Sequence, residues 1–381
     1  MKSYIYSILT LFVLICTTTC GQDVPDLLLQ ANLAYDSADY SGALTLYSQI
    51  INLHPNLPEV YNNRGNCYFQ TNAFVRALSD YSKAIELRPG YPEALNNRGQ
   101  VYTIMDYTEE AIQDFTNAIA IKPNFADAYN NRGNIYERKK DFTNAIDDYS
   151  MSISIKPDYW KAYNNRGNCY YLSANYENSI QDYTKVIELK PNFARAYYNR
   201  GRAYDQLKNY YYAMEDYSRA IEHDSLYIEA YNNRGSVYFD LKEYEAAVKD
   251  FSKVISLDSI EADAYVNRGN SYYSLKNYNS AIIDYTKVIE LKPEYPDVYN
   301  SRCYCYLVLK QYKKALHDVN RYITLSPNNA NTYDSRGDVY FAMKEYEKAA
   351  EDYKKAISLD TKFKEISGPK LREAQSKINN R

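Results

Sequence analysis

Seven asparagines recur at one constant interval along the chain: Asn63, Asn97, Asn131, Asn165, Asn199, Asn233 and Asn267. The preceding position adds Asn62, Asn96, Asn130, Asn164, Asn232 and Asn300, and the position three later adds Asn66, Asn134, Asn168 and Asn270. A primary amide carries donors and an acceptor, so a row of them can satisfy an extended peptide backbone without reading its side chains. Further along each interval stand Tyr35, Phe69, Tyr171, Phe239, Tyr273 and Phe341, which would add local preference. Together these residues form a candidate groove for an extended segment of another protein. The competing reading has the amides merely solvating the surface. Asparagine is a mediocre helix former, and the sequence offers no evident packing reason for its recurrence.

A second constellation is electrostatic. Nine arginines, from Arg64 to Arg336, each precede an aspartate at one fixed spacing, from Asp80 to Asp352. Where the frame extends backwards both partners are missing together, replaced by Gln30 and Leu46. Joint presence and joint loss point to direct pairing between two helices. A basic stripe for an acidic ligand is the alternative.

The groups that carry most catalysis are scarce. His54, His223 and His317 fall at three different places in the repeating frame, so no shared histidine site is implied. Eight of the twelve glycines are locked into that frame, which leaves no glycine-rich phosphate loop. Cys67, Cys169 and Cys305 occupy one frame position, where Val101, Ile135 and Val237 stand elsewhere. They read as small buried hydrophobes. Cys303 and Cys305 are too close in sequence for zinc-finger spacing. With 45 basic and 48 acidic side chains the net charge is −3, which argues against a polyanionic partner such as nucleic acid. No enzyme, cofactor or metal site is expected.

The elements that position these residues follow from the repeat itself. Arg-Gly pairs begin at 64, 98, 132, 166, 200, 234, 268 and 336, with Arg302-Cys303 filling the gap, so that every step is equal. Ten copies of one length then run from 24–57 to 330–363. Numbering each copy from 1, position 4 is tyrosine in eight copies, position 8 glycine in eight and position 11 tyrosine in nine. A turn of 100° per residue places these three on one side of a helix. Position 20 is alanine in nine copies and position 24 aromatic in nine, a second helical stripe. Positions 4, 11, 17 and 24 absorb 31 of the 46 tyrosines, so the tyrosine excess is mainly core rather than redox chemistry. Positions 2, 5, 6, 9, 12 and 13 lie opposite the glycine and tyrosines, and they carry the asparagine row.

The pattern Tyr-x2-Arg-Gly-x2-Tyr, then Ala-x3-Tyr, then Pro closely resembles the tetratricopeptide repeat, with Tyr129, Gly133, Tyr136, Ala145, Tyr149 and Pro157 in its signature places. The arginine before the glycine departs from the usual leucine. The resemblance implies an all-α, right-handed superhelical solenoid of ten helix-turn-helix repeats, with the asparagine face concave and ligand-bearing. Residues 364–381, with Leu371, Ala374 and Ile378 at helical spacing from Pro369 onwards, are expected to form a capping helix.

Ahead of the repeats, Met1-Lys2 and the apolar run Tyr4 to Cys16 predict a secretory signal peptide over residues 1–20. The run is shorter than the roughly 20 residues of a membrane-spanning helix. Cys20 stands where a bacterial lipoprotein signal places its lipid-accepting cysteine, although Thr17-Thr18-Thr19 lacks the customary leucine. Ordinary cleavage near Cys20 is the alternative. The expected protein is an exported scaffold, periplasmic or at the outer membrane if bacterial and secreted otherwise. Any contact with a membrane would be through an N-terminal lipid. A self-associating structural solenoid is the rival reading.

Overall fold

The computed structural model describes residues 23–379. The signal segment and Cys20 lie outside that range. Among the described residues there are 21 helices and no strand, in the all-α arrangement of helix pairs that the repeat implies. The first helices are Val24–Asp36, Pro58–Gln70, Pro92–Ile104, Ala126–Arg138, Trp160–Leu172, Ala194–Gln206, Ile228–Asp240, Ala262–Ser274, Pro296–Val308 and Ala330–Ala342. The second helices are Tyr40–Leu53, Phe74–Leu87, Thr108–Ile121, Phe142–Ile155, Tyr176–Leu189, Tyr210–His223, Tyr244–Leu257, Tyr278–Leu291, Tyr312–Leu325 and Tyr346–Leu359. A last helix spans Phe363–Asn379. The chain divides into two compact units, one ending at Ser173 and one starting at Ala174, inside the fifth copy. Within each unit consecutive helices pack in chain order.

Local chemistry sets the helix ends. Proline opens the helices at Pro58, Pro92 and Pro296, where the missing N–H has no intrahelical partner to lose. The second helices stop in extended or near-extended backbone, as at Arg88 with φ −140° and ψ 92°. Between the two helices, position 15 adopts the left-handed conformation in every copy, with φ of 58° at Asn72 and 59° at Lys276, and none of these residues is glycine. The next N–H closes back onto the helix, as when Ala73 donates to the Tyr68 carbonyl at 2.8 Å.

The core repeats as the helices do. Tyr81 packs with Ala77 and with Val101 of the next copy, and Tyr149 packs in the same way with Ala145 and Cys169. Glycine at position 8 seats the ring at position 24 of its own copy: a Cβ on Gly65 would lie 2.7 Å from Tyr81 Cε1. Where Cys303 replaces that glycine, position 24 shrinks to Val319 and the two pack in one cluster.

The last helix begins at Phe363, within one residue of the capping segment expected over 364–381, and Pro369 falls in its interior. Phe363 is buried with Ala330 and Ala356 of the tenth copy, and Ala374 packs on Ala349 and Tyr353, so packing outweighs the proline's lost hydrogen bond. At the opposite end no such cover exists among the described residues. Leu29 and Leu33 are 54% and 59% exposed, although position 10 is buried in the copies that follow.

Candidate functional site

The asparagine face is built from the second helices upward. At position 24 the tyrosine ring is buried and its hydroxyl emerges beside position 9 of its own copy. Tyr47 donates to Asn32, Tyr81 to Asn66, Tyr149 to Asn134 and Tyr285 to Asn270, all at 2.7–2.8 Å. In the first unit the same Oδ1 atoms accept a second bond from position 6 of the next copy. Asn97 Nδ2 donates to Asn66 and to Asn62, both at 3.1 Å. Asn165 Nδ2 donates to Asn134 at 2.9 Å and to Asn130 at 3.4 Å, and Asn131 donates to Asn96 at 2.9 Å. Each of these position-6 amides is therefore a rung between stacked copies.

This corrects the view that the recurrence lacks a packing reason. Asn62, Asn96, Asn130 and Asn199 are buried, and Asn63, Asn97, Asn131, Asn165, Asn233 and Asn267 are half-buried. The rung donors are spent inside the protein. Asn66, Asn134, Asn164 and Asn168 are also half-buried, as are Phe69 and Tyr171. The row is not uniform. Asn233 donates to the hydroxyl of Tyr198, which replaces an asparagine. Asn232 and Asn300 keep buried Oδ1 atoms that meet no hydrogen-bond partner among the described residues, and the same holds for the Tyr217 hydroxyl.

The rungs leave some amide donors over. Asn66 and Asn134 use Oδ1 twice, while their Nδ2 groups meet no acceptor among the described residues. In the first unit a recess of about 220 Å³ opens here, lined by Tyr35, Asn66, Phe69, Gln70, Tyr81, Asn97 and Gln100. At the far end of the second unit the last rung is ionic. Lys370 of the final helix donates to Asp334 at 2.9 Å and to Asp338 at 2.8 Å, while Tyr353 donates to Asp338 at 2.9 Å. Burial raises the Asp338 pKa, which Lys370 partly counters.

The arginine row is a separate device. In eight pairs the guanidinium grips its aspartate at 2.7–2.8 Å. Arg166 and Asp182 belong to different units. The remaining nitrogen donates to position 25 of the preceding copy: Arg64 to Ser48, Arg98 to Ser82, Arg132 to Thr116 and Arg200 to Thr184. Tyrosines at positions 4 and 11 flank it, as Tyr61 and Tyr68 do Arg64 at 5.7 and 5.9 Å. Asp148 holds the Arg132 guanidinium above its ordinary pKa by hydrogen bonding. The row is thus internally satisfied rather than open to an acidic ligand.

Two sequence signals for this wiring went unread. Asparagine stands at position 9 only in copies with tyrosine at position 24, and it is absent opposite Phe115, Phe251 and Val319. Each paired arginine from Arg64 to Arg302 also follows a serine or threonine at one fixed spacing, from Ser48 to Thr286.

Reactive groups are muted. Cys67, Cys169, Cys303 and Cys305 are buried free thiols, and burial pushes Cys67 up to about 11 and Cys169 to about 12. Among the described residues no group of three or more His, Cys, Asp or Glu side chains could hold a metal. None of the described helices is long and apolar enough to cross a membrane.

Known families match most of these copies. The tetratricopeptide repeat profile matches residues 58–91, 126–159, 160–193, 194–225, 228–259, 262–295 and 331–363, and a TPR repeat profile matches 108–140. No curated protein sequence matches. Among solved structures, the C-terminal part of a TPR repeat-containing protein from Cytophaga hutchinsonii is 22% identical with a TM-score of 0.53. That match covers 62% of this chain and 97% of the other. A tetratricopeptide repeat protein from Parabacteroides merdae is 20% identical with a TM-score of 0.47, covering 66% of this chain and 99% of the other. YrrB, described as a TPR protein with an unusual peptide-binding site, is 23% identical with a TM-score of 0.43, covering 48% of this chain and 95% of the other. At these identities the likeness concerns fold alone.

Proposed function

Because this chain belongs to the tetratricopeptide repeat family, whose profile matches more than half of it, we propose that it is a non-enzymatic scaffold that holds an extended segment of another protein along its asparagine face. The repeats and their structural neighbours support a protein-interaction role in general. The observation that carries the groove is the pair of position-9 amides, Asn66 and Asn134, whose Oδ1 is spent internally and whose Nδ2 is left over. An unspent N–H on a fixed amide is a donor for a peptide carbonyl, and its orientation is held by two internal bonds. Repetition from copy to copy suits a ligand that runs along the face. Export through residues 1–20, with lipid on Cys20, belongs to the same proposal and would place the scaffold in a cell envelope.

Asn66→Asp with Asn134→Asp tests the groove. Aspartate keeps an acceptor for Tyr81 and Tyr149 while removing the N–H donors and adding charge. Capture of the native partner should drop sharply with helicity unchanged. Undiminished capture would refute the groove. For export, fatty-acid labelling in the host of origin should tag the wild type and spare Cys20→Ser.

A second reading has its own observation. Leu29 and Leu33 expose an apolar edge at the start of the stack, where later copies are covered by a preceding helix. Self-association through that edge would give a concentration-dependent dimer, abolished by Leu33→Lys in sedimentation experiments.

A further inference from the structure

The recess between the first three copies has a glutamine where the copies on either side have asparagine, and that residue has a cause. Position 9 carries glutamine only at Gln100. Asn32, Asn66, Asn134 and Asn270 are each recruited there by the tyrosine hydroxyl of their own copy, but the ring behind Gln100 is Phe115, which has no hydroxyl. Gln100 is therefore left with a donor and an acceptor that no described residue takes up. The Nδ2 of Asn66 faces the same space, since its Oδ1 is spent on Tyr81 and Asn97.

The surroundings narrow the ligand. None of the seven lining residues carries a formal charge, although charged residues make up 24% of the chain. Tyr35 and Phe69 present aromatic rings fixed by edge contacts to Tyr40 at 5.6 Å and Phe74 at 5.8 Å. The volume, about 220 Å³, is on the scale of one side chain. A charged group would lose water here without gaining a counter-ion, and an apolar one would leave the amides unpaired. A group that is planar and neutral, with both donor and acceptor, fits all three constraints.

We propose that this recess receives the side-chain carboxamide of a glutamine or asparagine in the bound segment, paired with Gln100 and Asn66 and held against Tyr35 and Phe69. The proposal rests on the groove reading above and gives it a specificity.

The test uses the full chain and a phage library of random peptides. Selected peptides should share a glutamine or asparagine at one position. Synthetic versions of one such peptide with Gln, Ala, Glu or Arg there are then titrated by calorimetry. Replacing Gln with Ala should weaken binding about tenfold, the equivalent of one or two hydrogen bonds, and Glu or Arg should do no better than Ala. Gln100→Ala, checked for native circular dichroism, should erase the difference between the Gln and Ala peptides while binding the Ala peptide as the wild type does. Selected peptides without a shared amide, tight binding of the Arg version, or discrimination that survives Gln100→Ala would each overturn the recess and leave the groove standing. Failure to select any peptide would remove both.

Discussion

Arg132 reaches out of its own copy: its Nη1 donates to Thr116 Oγ1 of the preceding copy at 3.0 Å, while Nε and Nη2 hold Asp148 at 2.8 Å. One guanidinium joins three helices, and the stacking of copies depends on it as well as on the apolar core. Asp148→Ala should strand a half-buried cation and cost about 3 kcal/mol, the low end for breaking a buried pair. Adding Arg132→Leu should recover most of that loss in chemical denaturation. A double mutant no better than Asp148→Ala would show that the pair is not the source of the cost.

Two tyrosines at the same repeat position should respond oppositely to loss of their hydroxyls. Tyr149 donates to Asn134 and Glu137, so Tyr149→Phe should lose about 1 kcal/mol. The Tyr217 hydroxyl is buried and meets no hydrogen-bond partner among the described residues, so Tyr217→Phe should be neutral or stabilising. Equal melting shifts in the two variants would contradict the wiring described for position 9.

The rungs themselves are expected to carry stability. Asn97→Ala removes one donor group from both Asn62 and Asn66. Alanine is the better helix former, yet the acceptors left short should make the variant less stable by about 1–3 kcal/mol. Replacing Asn131, Asn165, Asn199 and Asn233 together should cost more than one such change. A quadruple variant as stable as the wild type would mean that the amides are idle in folding.

Burial raises the pKa of Glu137 above its ordinary 4.5, partly offset by the Tyr149 hydroxyl. The folded state then holds that proton more tightly than the unfolded chain. Its contribution is complete below 4.5 and is lost as pH rises through the folded value. Glu137→Gln, which keeps an acceptor for Tyr149, should therefore be more stable than the wild type at neutral pH. The advantage should shrink on acidification, as followed by unfolding curves from mildly acidic to neutral pH.

Much of this was readable in the sequence. The repeating frame, the glycine against the ring and the arginine–aspartate pairs are all relations inside one copy, at fixed spacing. The rungs were harder to see because they join residues 31 and 35 apart, in neighbouring copies whose mutual register only the packed helices supply. Burial misled in the same way: the helical wheel puts Asn62 opposite the core of its own copy, yet in the stack it is buried. The capping helix over 364–381 was legible too, although its continuation through Pro369 rests on contacts of Phe363 with Ala330 and Ala356 that no local pattern shows.

The ionic rung at the C-terminal end can be isolated experimentally. Lys370→Met should leave Asp334 and Asp338 without their cation and release the final helix, raising amide exchange over 363–379. Lys370→Arg, which keeps a cation for both carboxylates, should retain most of the protection. If exchange in the single mutant matches the wild type, the final helix is held by its apolar contacts alone.

That rung also gives the stack a polarity. Every copy is secured by its neighbours, so local opening starts where a neighbour is missing and advances one copy at a time. At Lys370 the last copy is bolted by charge and by a helix of its own, while Leu29 and Leu33 of the first copy meet no such cover among the described residues. Within the first unit, opening should begin at the first copy, so amide exchange should be fastest over 24–57 and slow in the copies that follow.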